Sequence, residues 1–137
     1  MNGVRIKTWQ GGQGYAKNIV FQNIFMNNTK NSIIIDQNYC DSNHSCHDET
    51  SAVEVSEVLY NNIRGTSATD MVVDFDCSAS VPCRAVVLED IHLEYHNNKG
   101  KARTVFNNID WSQKGEFYIG PGSGDDVSCC GPGSTSV

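Results

Sequence analysis

The sequence predicts an all-β protein, a right-handed parallel β-helix (solenoid). Apolar and polar residues alternate in short runs, a template of strand, polar corner and strand recurs, and signals for helices are nearly absent. The chain has 137 residues, which is room for one domain. Repeats built from short strands indicate coils that stack on one another. A β-sandwich with coincidental periodicity is the alternative.

The template reads apolar, any, apolar, two polar residues, isoleucine, any, and an apolar or small residue. Its copies occupy residues 19–26, 58–65, 86–93 and, more weakly, 104–111. The polar pairs contain Asn23, Asn62, Asp90 and Asn108, and asparagine suits corners because it tolerates left-handed backbone angles. Runs of β-branched residues at 33–35 and 71–73 predict additional strands. We expect the coils to cover residues 1–111 and a Gly-rich, irregular tail to cover residues 112–137.

Charge is unevenly distributed along the chain. Residues 1–35 contain four cations and no acid, whereas residues 36–137 contain six Lys or Arg and sixteen Asp or Glu, which together give the net charge of −6. A basic first quarter on an acidic body fits a local anion site and does not fit nucleic-acid binding, which needs a broad basic face. No apolar run is long enough for a membrane span.

The segment from Asn2 to Gly12 carries two cations two residues apart on what reads as a strand. Because strand side chains alternate, Arg5 and Lys7 point the same way, roughly 7 Å apart, and a glycine-rich turn follows at residues 11–14. A guanidinium beside an ammonium suits a carboxylate, so the pair predicts a small anion-binding face. The alternative is a solvated strand edge that happens to be basic.

Six cysteines include two local pairs. Cys40 with Cys46, and Cys77 with Cys83, each enclose five residues in polar loops, and we expect short disulfides of a secreted protein. A metal site from Cys40, His44, Cys46 and His47 is the weaker alternative, because that spacing is unusual for zinc. The adjacent Cys129 and Cys130 stay unassigned, and this chain shows no signal peptide.

Several segments together resemble one family. Arg-Ile-Lys-Thr-Trp at residues 5–9, followed by Gln-Gly-Gly-x-Gly-Tyr, resembles the substrate-binding motif of plant polygalacturonases of glycoside hydrolase family 28. Further similar segments lie at residues 35–40, 62–68, 75–78 and 87–90, in the family's order. The resemblance covers residues 2 to about 96.

The resemblance implies hydrolysis of the α-1,4-galacturonan of pectin with inversion, by aspartates that act on the sugar and on a water molecule. It also implies that Arg5 and Lys7 bind a galacturonate carboxylate and that Tyr39 contacts sugar from the neighbouring coil. No metal or organic cofactor is implied.

The family's acids lie in Asn-Thr-Asp and Asp-Asp motifs, and its histidine in Gly-His-Gly, all before Arg-Ile-Lys. None of these precedes Arg5 here, so we expect the C-terminal part of a polygalacturonase, truncated at its N-terminal end and inactive alone. Asp74 and Asp76 share a strand face at roughly 7 Å, but their place directly before Cys77 argues against catalysis.

The expected partner is pectin or oligogalacturonate, and the expected location is the cell wall. A non-catalytic pectate-binding module is the first alternative. An interaction protein that associates with itself through its exposed first coil is the second.

Overall fold

The computed structural model describes residues 2–9, 11, 13–38, 53–96, 100–121 and 127–129, and all regular structure in these ranges is β-strand. Every strand pair is parallel. The strands are β1 (Asn2–Lys7), β2 (Tyr15–Asp36), β3 (Glu54–Ser67), β4 (Met71–Asp76), β5 (Cys83–Tyr95), β6 (Arg103–Asn107), β7 (Ile109–Gly120) and β8 (Val127–Cys129). No helix in the described ranges is long and apolar enough to cross a membrane.

The strands form two sets that alternate along the chain. The short-strand sheet consists of β1, residues 30–36 of β2, β4, β6 and β8. The long-strand sheet consists of residues 15–29 of β2, then β3, β5 and β7. Since each coil supplies one strand to each set and pairs in parallel with the next coil, the architecture is a parallel β-helix, as the sequence predicts.

The repeated template marks the stacking of the first three coils. Ile24 pairs with Ile63, and Ile63 pairs with Ile91, so the isoleucines of the template form one ladder. The corner residues before them have positive φ angles, 56° at Asn23, 54° at Asn62 and 54° at Asp90. Short polar side chains tolerate this region of φ/ψ space, which is why they mark the corners.

The fourth copy of the template has the predicted local shape but not the predicted register. Asn108 has a φ of 55° and separates β6 from β7, as a corner should. Ile109, however, pairs with Cys83, and the residue in line with Ile91 is Phe117. The predicted isoleucine ladder therefore continues through a phenylalanine, eight residues later than the sequence pattern indicated.

Regular structure also continues beyond the predicted end of the coils. The strand β7 runs to Gly120 and β8 follows at Val127–Cys129, so the expected boundary at residue 111 is too early. The glycines at 115 and 120 were interpreted as part of an irregular tail, but both lie in β7. Gly115 occupies a corner inside the strand, with a φ of 65°.

Aromatic side chains from both sheets form a continuous stack through the core. Ring centroids are 5.1 Å apart for Phe21 and Tyr60, 5.7 Å for Tyr60 and Phe75, and 5.5 Å for Phe75 and Phe106. Phe106 then stacks on Trp111 at 4.4 Å. Tyr60, Phe75 and Phe106 are fully buried, and aromatic contacts of this kind contribute beyond their buried area. The stack joins successive coils along the axis.

A buried glutamine holds two loops together at one end of the short-strand sheet. Gln37 is fully buried, its Nε2 donates to the Val53 carbonyl at 2.6 Å, and its Oε1 accepts from the Ser78 amide at 2.7 Å. The predicted disulfide between Cys77 and Cys83 is present beside it. The other predicted disulfide, Cys40 with Cys46, lies outside the described residues.

Candidate functional site

The two predicted cations lie on the outer face of the short-strand sheet. Arg5 and Lys7 are exposed, whereas Ile6 between them is buried with 8% of its surface accessible. The alternation arises because Ile6 pairs with Ile35 and packs into the core, which forces its neighbours outward. Arg5 and Lys7 thus share one exposed face, as the spacing predicted.

We call the outward side chains of four successive strands the binding face. They are Arg5 and Lys7 of β1, Ile34 and Asp36 of β2, Asp74 and Asp76 of β4, and Val105 and Asn107 of β6. Ile34 is largely covered, with 8% of its surface accessible.

The register arranges these side chains in two rows across the strands. One row contains Arg5, Ile34, Asp74 and Val105, and the other contains Lys7, Asp36, Asp76 and Asn107. Neighbouring strands are about 4.8 Å apart, so Asp36 on β2 lies one strand from Arg5 and Lys7 on β1.

The turn after β1 exposes an aromatic side chain that the sequence argument did not use. Thr8 is buried, and its amide donates to the Asp36 carbonyl at 2.8 Å, which continues the strand pairing for one residue. Trp9 has 57% of its surface exposed. Strand alternation extended from Arg5 and Lys7 would have placed Trp9 on the same side. An exposed indole beside cations suits a sugar ring, which has apolar faces.

Tyr39, the predicted aromatic contact to sugar, lies outside the described residues. The glycine-rich turn has the predicted backbone: φ is 82° at Gly11 and 96° at Gly14, angles that favour glycine.

Asp74 is the acid of the binding face whose environment changes its ionisation. Burial raises the pKa of its carboxyl, and the negative charges of Asp76 and Asp36 raise it further, while Arg103 opposes the shift. Arg103 is itself engaged, since its Nε lies 2.9 Å from Asp70 Oδ2. The charges of Asp36 on β2 and Asp76 on β4 therefore both act on the Asp74 carboxyl.

The outer face of the long-strand sheet has an open groove of about 460 Å³. Tyr15, Lys17, Glu54, Arg84 and Asp110 are among its lining residues. Arg84 forms an ion pair with Glu54, and Lys17 Nζ lies 4.6 Å from the centroid of the Tyr15 ring. Both cations of this groove thus have partners within it.

A cluster of polar side chains surrounds His92 elsewhere on the long-strand sheet. His92 stacks on Tyr118 with ring centroids 4.8 Å apart, and its Nε2 and Nδ1 lie 3.0 Å from Glu94 and 3.3 Å from Glu116. Partial burial lowers the pKa of His92, but the hydrogen bonds and charges of the two glutamates outweigh it, so the net shift is upward. Arg64 Nη1 also contacts Glu116, at 3.3 Å. In the described ranges, no group of three or more His, Cys, Asp or Glu side chains is placed to hold a metal ion.

Comparison with known proteins agrees with the resemblance in the sequence. The model of glycosyl hydrolases family 28 matches residues 1–114. A polygalacturonase from Persea americana is 58% identical over 104 residues, which are 76% of this chain and 22% of that protein.

Two further relatives support the same assignment. A probable polygalacturonase from Arabidopsis thaliana is 46% identical over 127 residues, 93% of this chain and 29% of the relative. Polygalacturonase-2 from Solanum lycopersicum is 51% identical over 106 residues, 77% of this chain and 23% of the relative. The chain thus spans less than a third of the length of each of these relatives. With this match, and with the parallel β-helix that it adopts, the chain belongs to glycosyl hydrolases family 28.

Proposed function

We propose that this chain binds the galacturonan of pectin on its binding face and serves pectin hydrolysis as a substrate-binding part of a polygalacturonase-family protein. Arg5 and Lys7 hold galacturonate carboxylates, and Tyr39 contacts sugar. The Asn-Thr-Asp and Gly-His-Gly motifs of the family do not occur in these 137 residues, so the proposal assigns no catalytic acid to this chain. The location proposed is the cell wall.

The shared exposure of Arg5 and Lys7 supports this proposal most directly. Two cations on adjacent outward positions of one strand can hold a carboxylate at two points, and a guanidinium binds it through two parallel hydrogen bonds. The exposed Trp9 adds an apolar surface beside them. Secretion is supported by the disulfide between Cys77 and Cys83, because disulfides persist in oxidising compartments.

The proposal is tested by titrating the chain with oligogalacturonate at low and high ionic strength. We expect binding that weakens as salt rises, because exposed charges are screened. The variant Arg5→Ala/Lys7→Ala should lose at least about tenfold in affinity, which is about 1.4 kcal/mol. The matched control is Lys17→Ala/Arg84→Ala, which removes the same charge from the long-strand sheet and should bind as the wild type does.

Equal loss in both double variants would show that net charge alone attracts the ligand, which would contradict the proposal. We further expect no release of reducing ends from polygalacturonate by this chain. Turnover that survives repurification and disappears on heating would overturn the assignment of a binding role without catalysis.

Self-association is a second candidate property, favoured by one observation. Ile19, Phe21 and Ile24 of the first coil are only partly buried, whereas their partners in the next coil, including Tyr60 and Ile63, are fully buried. Partly covered apolar surface at a strand edge favours pairing with another chain. Sedimentation velocity should show mass increasing with concentration, and a monomer at every concentration would contradict this candidate.

A further inference from the structure

Phe25 is the most exposed large hydrophobic side chain among the described residues, with 77% of its surface accessible. It lies on the outer face of the long-strand sheet, in the part of β2 that pairs with β3. An open hollow of about 230 Å³ lies beside the ring, and Asn62 and Arg64 help to line it. The ring belongs neither to the core nor to the binding face, so its apolar surface is available to a further group.

An acceptor sequence for glycosylation begins two residues after this ring. Residues 27–29 read Asn-Asn-Thr, the pattern at which N-linked glycans are attached. Asn27 is exposed, whereas Met26 before it is buried with 4% of its surface accessible. Because strand side chains alternate, Phe25 and Asn27 point to the same outer side, about 7 Å apart. The other acceptor sequence of the chain, at residues 43–45, lies outside the described residues.

A β-bulge gives the acceptor a defined direction. Residues 27 and 28 together face the single residue Thr66 of β3. The bulge is held by the Asn28 amide, which donates to Thr66 Oγ1 at 2.7 Å, and φ at Asn28 is 51°. Thr29 is buried with 7% of its surface accessible, so an enzyme that reads it acts before the chain folds. Folding then fixes the modified Asn27 beside Phe25.

We propose that Asn27 carries an N-linked glycan whose first sugar packs on the ring of Phe25. The donor is an oligosaccharide joined to a lipid diphosphate, which the secretory pathway supplies together with the transferase. The side-chain nitrogen of Asn27 bonds to the anomeric carbon of the first sugar. The bond from that carbon to the diphosphate oxygen breaks, the lipid diphosphate leaves, and the amide loses one proton. The inference goes beyond galacturonan binding and shares with the proposed function only the secretion of the chain.

The surroundings of the ring suit a sugar. A pyranose has an apolar face of C–H groups, and covering Phe25 with that face removes apolar surface of both from water. The hollow beside the ring has a polar side for the sugar hydroxyls. Arg64 bonds to Asn62 and Glu116 there, and its guanidinium has further N–H groups to donate. A sugar that turns back from Asn27 along β2 therefore finds both kinds of contact.

A glycan at Asn27 leaves the binding face open. Arg5 pairs with Ile34, which is seven residues beyond Asn27 in β2, and the four residues before Ile34 alone span about 13 Å. Two corners with positive φ also lie between them, 51° at Asn28 and 48° at Asn31. The glycan and a galacturonan held at Arg5 thus occupy different sides of the coil.

The first test measures occupancy on the full chain, secreted from a eukaryotic host by means of a cleavable export signal. Enzymatic release of glycans in heavy-oxygen water converts each occupied asparagine into a labelled aspartate, which peptide mass spectrometry locates. We expect label at Asn27 in the wild type and in Thr29→Ser, which keeps the acceptor pattern, and none there in Asn27→Gln. The control Asn61→Gln, outside any such pattern, should keep the label. Label at Asn43 alone, or none, would overturn the inference.

The second test measures the contact between sugar and ring by a double-mutant cycle in thermal unfolding. The four secreted proteins are the wild type, Phe25→Ala, Asn27→Gln and the double variant, and circular dichroism establishes that each is folded. Loss of the glycan in Asn27→Gln should lower Tm by about 2–4 °C when Phe25 is present and by less than about 1 °C in Phe25→Ala. The matched control Tyr15→Ala removes another exposed aromatic ring of β2, 12 residues before Asn27, and should leave the full effect of the glycan.

Two outcomes would overturn the contact with Phe25 while the glycan stands. One is an equal fall in Tm with and without the ring. The other is loss of the stabilisation when an endoglycosidase trims the glycan to its first sugar, since that sugar is the one in contact. Failure of this inference is distinguishable from failure of the proposed function: an unoccupied Asn27 leaves galacturonan binding intact, and a chain that does not bind oligogalacturonate can still show label at Asn27.

Discussion

The buried Gln37 offers the sharpest test of how the coils are held together. We expect Gln37→Met to destabilise the protein, because methionine fills a similar volume but cannot replace either hydrogen bond of the side chain. The Ser78 amide is buried and would lose its acceptor, at a cost of roughly 1–3 kcal/mol. The Val53 carbonyl is partly accessible to water, so its loss costs about 1 kcal/mol. The sum is about 2–4 kcal/mol.

The assay is urea unfolding followed by tryptophan fluorescence, since Trp111 is buried against Phe106. With a slope of about 2 kcal/mol per molar urea, the midpoint should fall by about 1–2 M while the slope stays constant. The matched control is Gln22→Met, the same change at an exposed position, which should shift stability by less than about 0.5 kcal/mol.

A third variant, Gln37→Glu, distinguishes hydrogen bonding from packing. A protonated glutamic acid can accept from Ser78 and donate to Val53, whereas the carboxylate cannot donate. Burial raises the pKa of such a carboxyl, so this variant should gain stability relative to Gln37→Met as pH falls toward about 4. If Gln37→Met unfolds at the wild-type midpoint, or if the two variants keep a constant difference at every pH, the reasoning is refuted.

Two further predictions concern groups in the core and on the long-strand sheet. The Tyr60 hydroxyl is buried with no hydrogen-bond partner among the described residues. In urea unfolding, Tyr60→Phe should therefore leave the stability unchanged or raise it by about 1 kcal/mol. A loss of stability above about 1 kcal/mol would show that the hydroxyl is hydrogen-bonded. The raised pKa of His92 means that protonation near Glu94 and Glu116 stabilises the fold: this contribution is complete below about pH 6.5 and is lost as pH rises through the folded-state pKa. Thermal unfolding from pH 5 to 9 should show that loss in the wild type and lack it in His92→Phe; identical profiles would contradict the assignment.

Local sequence patterns were sufficient for the strands and most corners. The ladder of Ile24, Ile63 and Ile91 follows from one repeated template, because apolar residues at fixed distances from a polar corner must enter the core together. The same logic placed Arg5 and Lys7 on one exposed face. These predictions needed only the alternation of strand side chains.

Patterns failed where the answer depended on contacts between distant segments. Phe117 takes the ladder position after Ile91, and no local rule distinguishes it from Ile109, which has the better template match. The bonds of Gln37 join residues 16 and 41 positions away in the sequence. The sequence does not indicate that Gln37 is buried, because its hydrogen-bond partners are known only from the structure.

From the sequence by itself came the parallel β-helix, the disulfide between Cys77 and Cys83, and the family. Each depends on residues close together in the chain or on recognisable motifs. Only the tertiary structure set the acids Asp36 and Asp76 in line with Lys7 and so decided the charge pattern of the binding face. The physical reason is that the register between coils results from core packing and strand pairing, and the number of residues between two strands does not specify it.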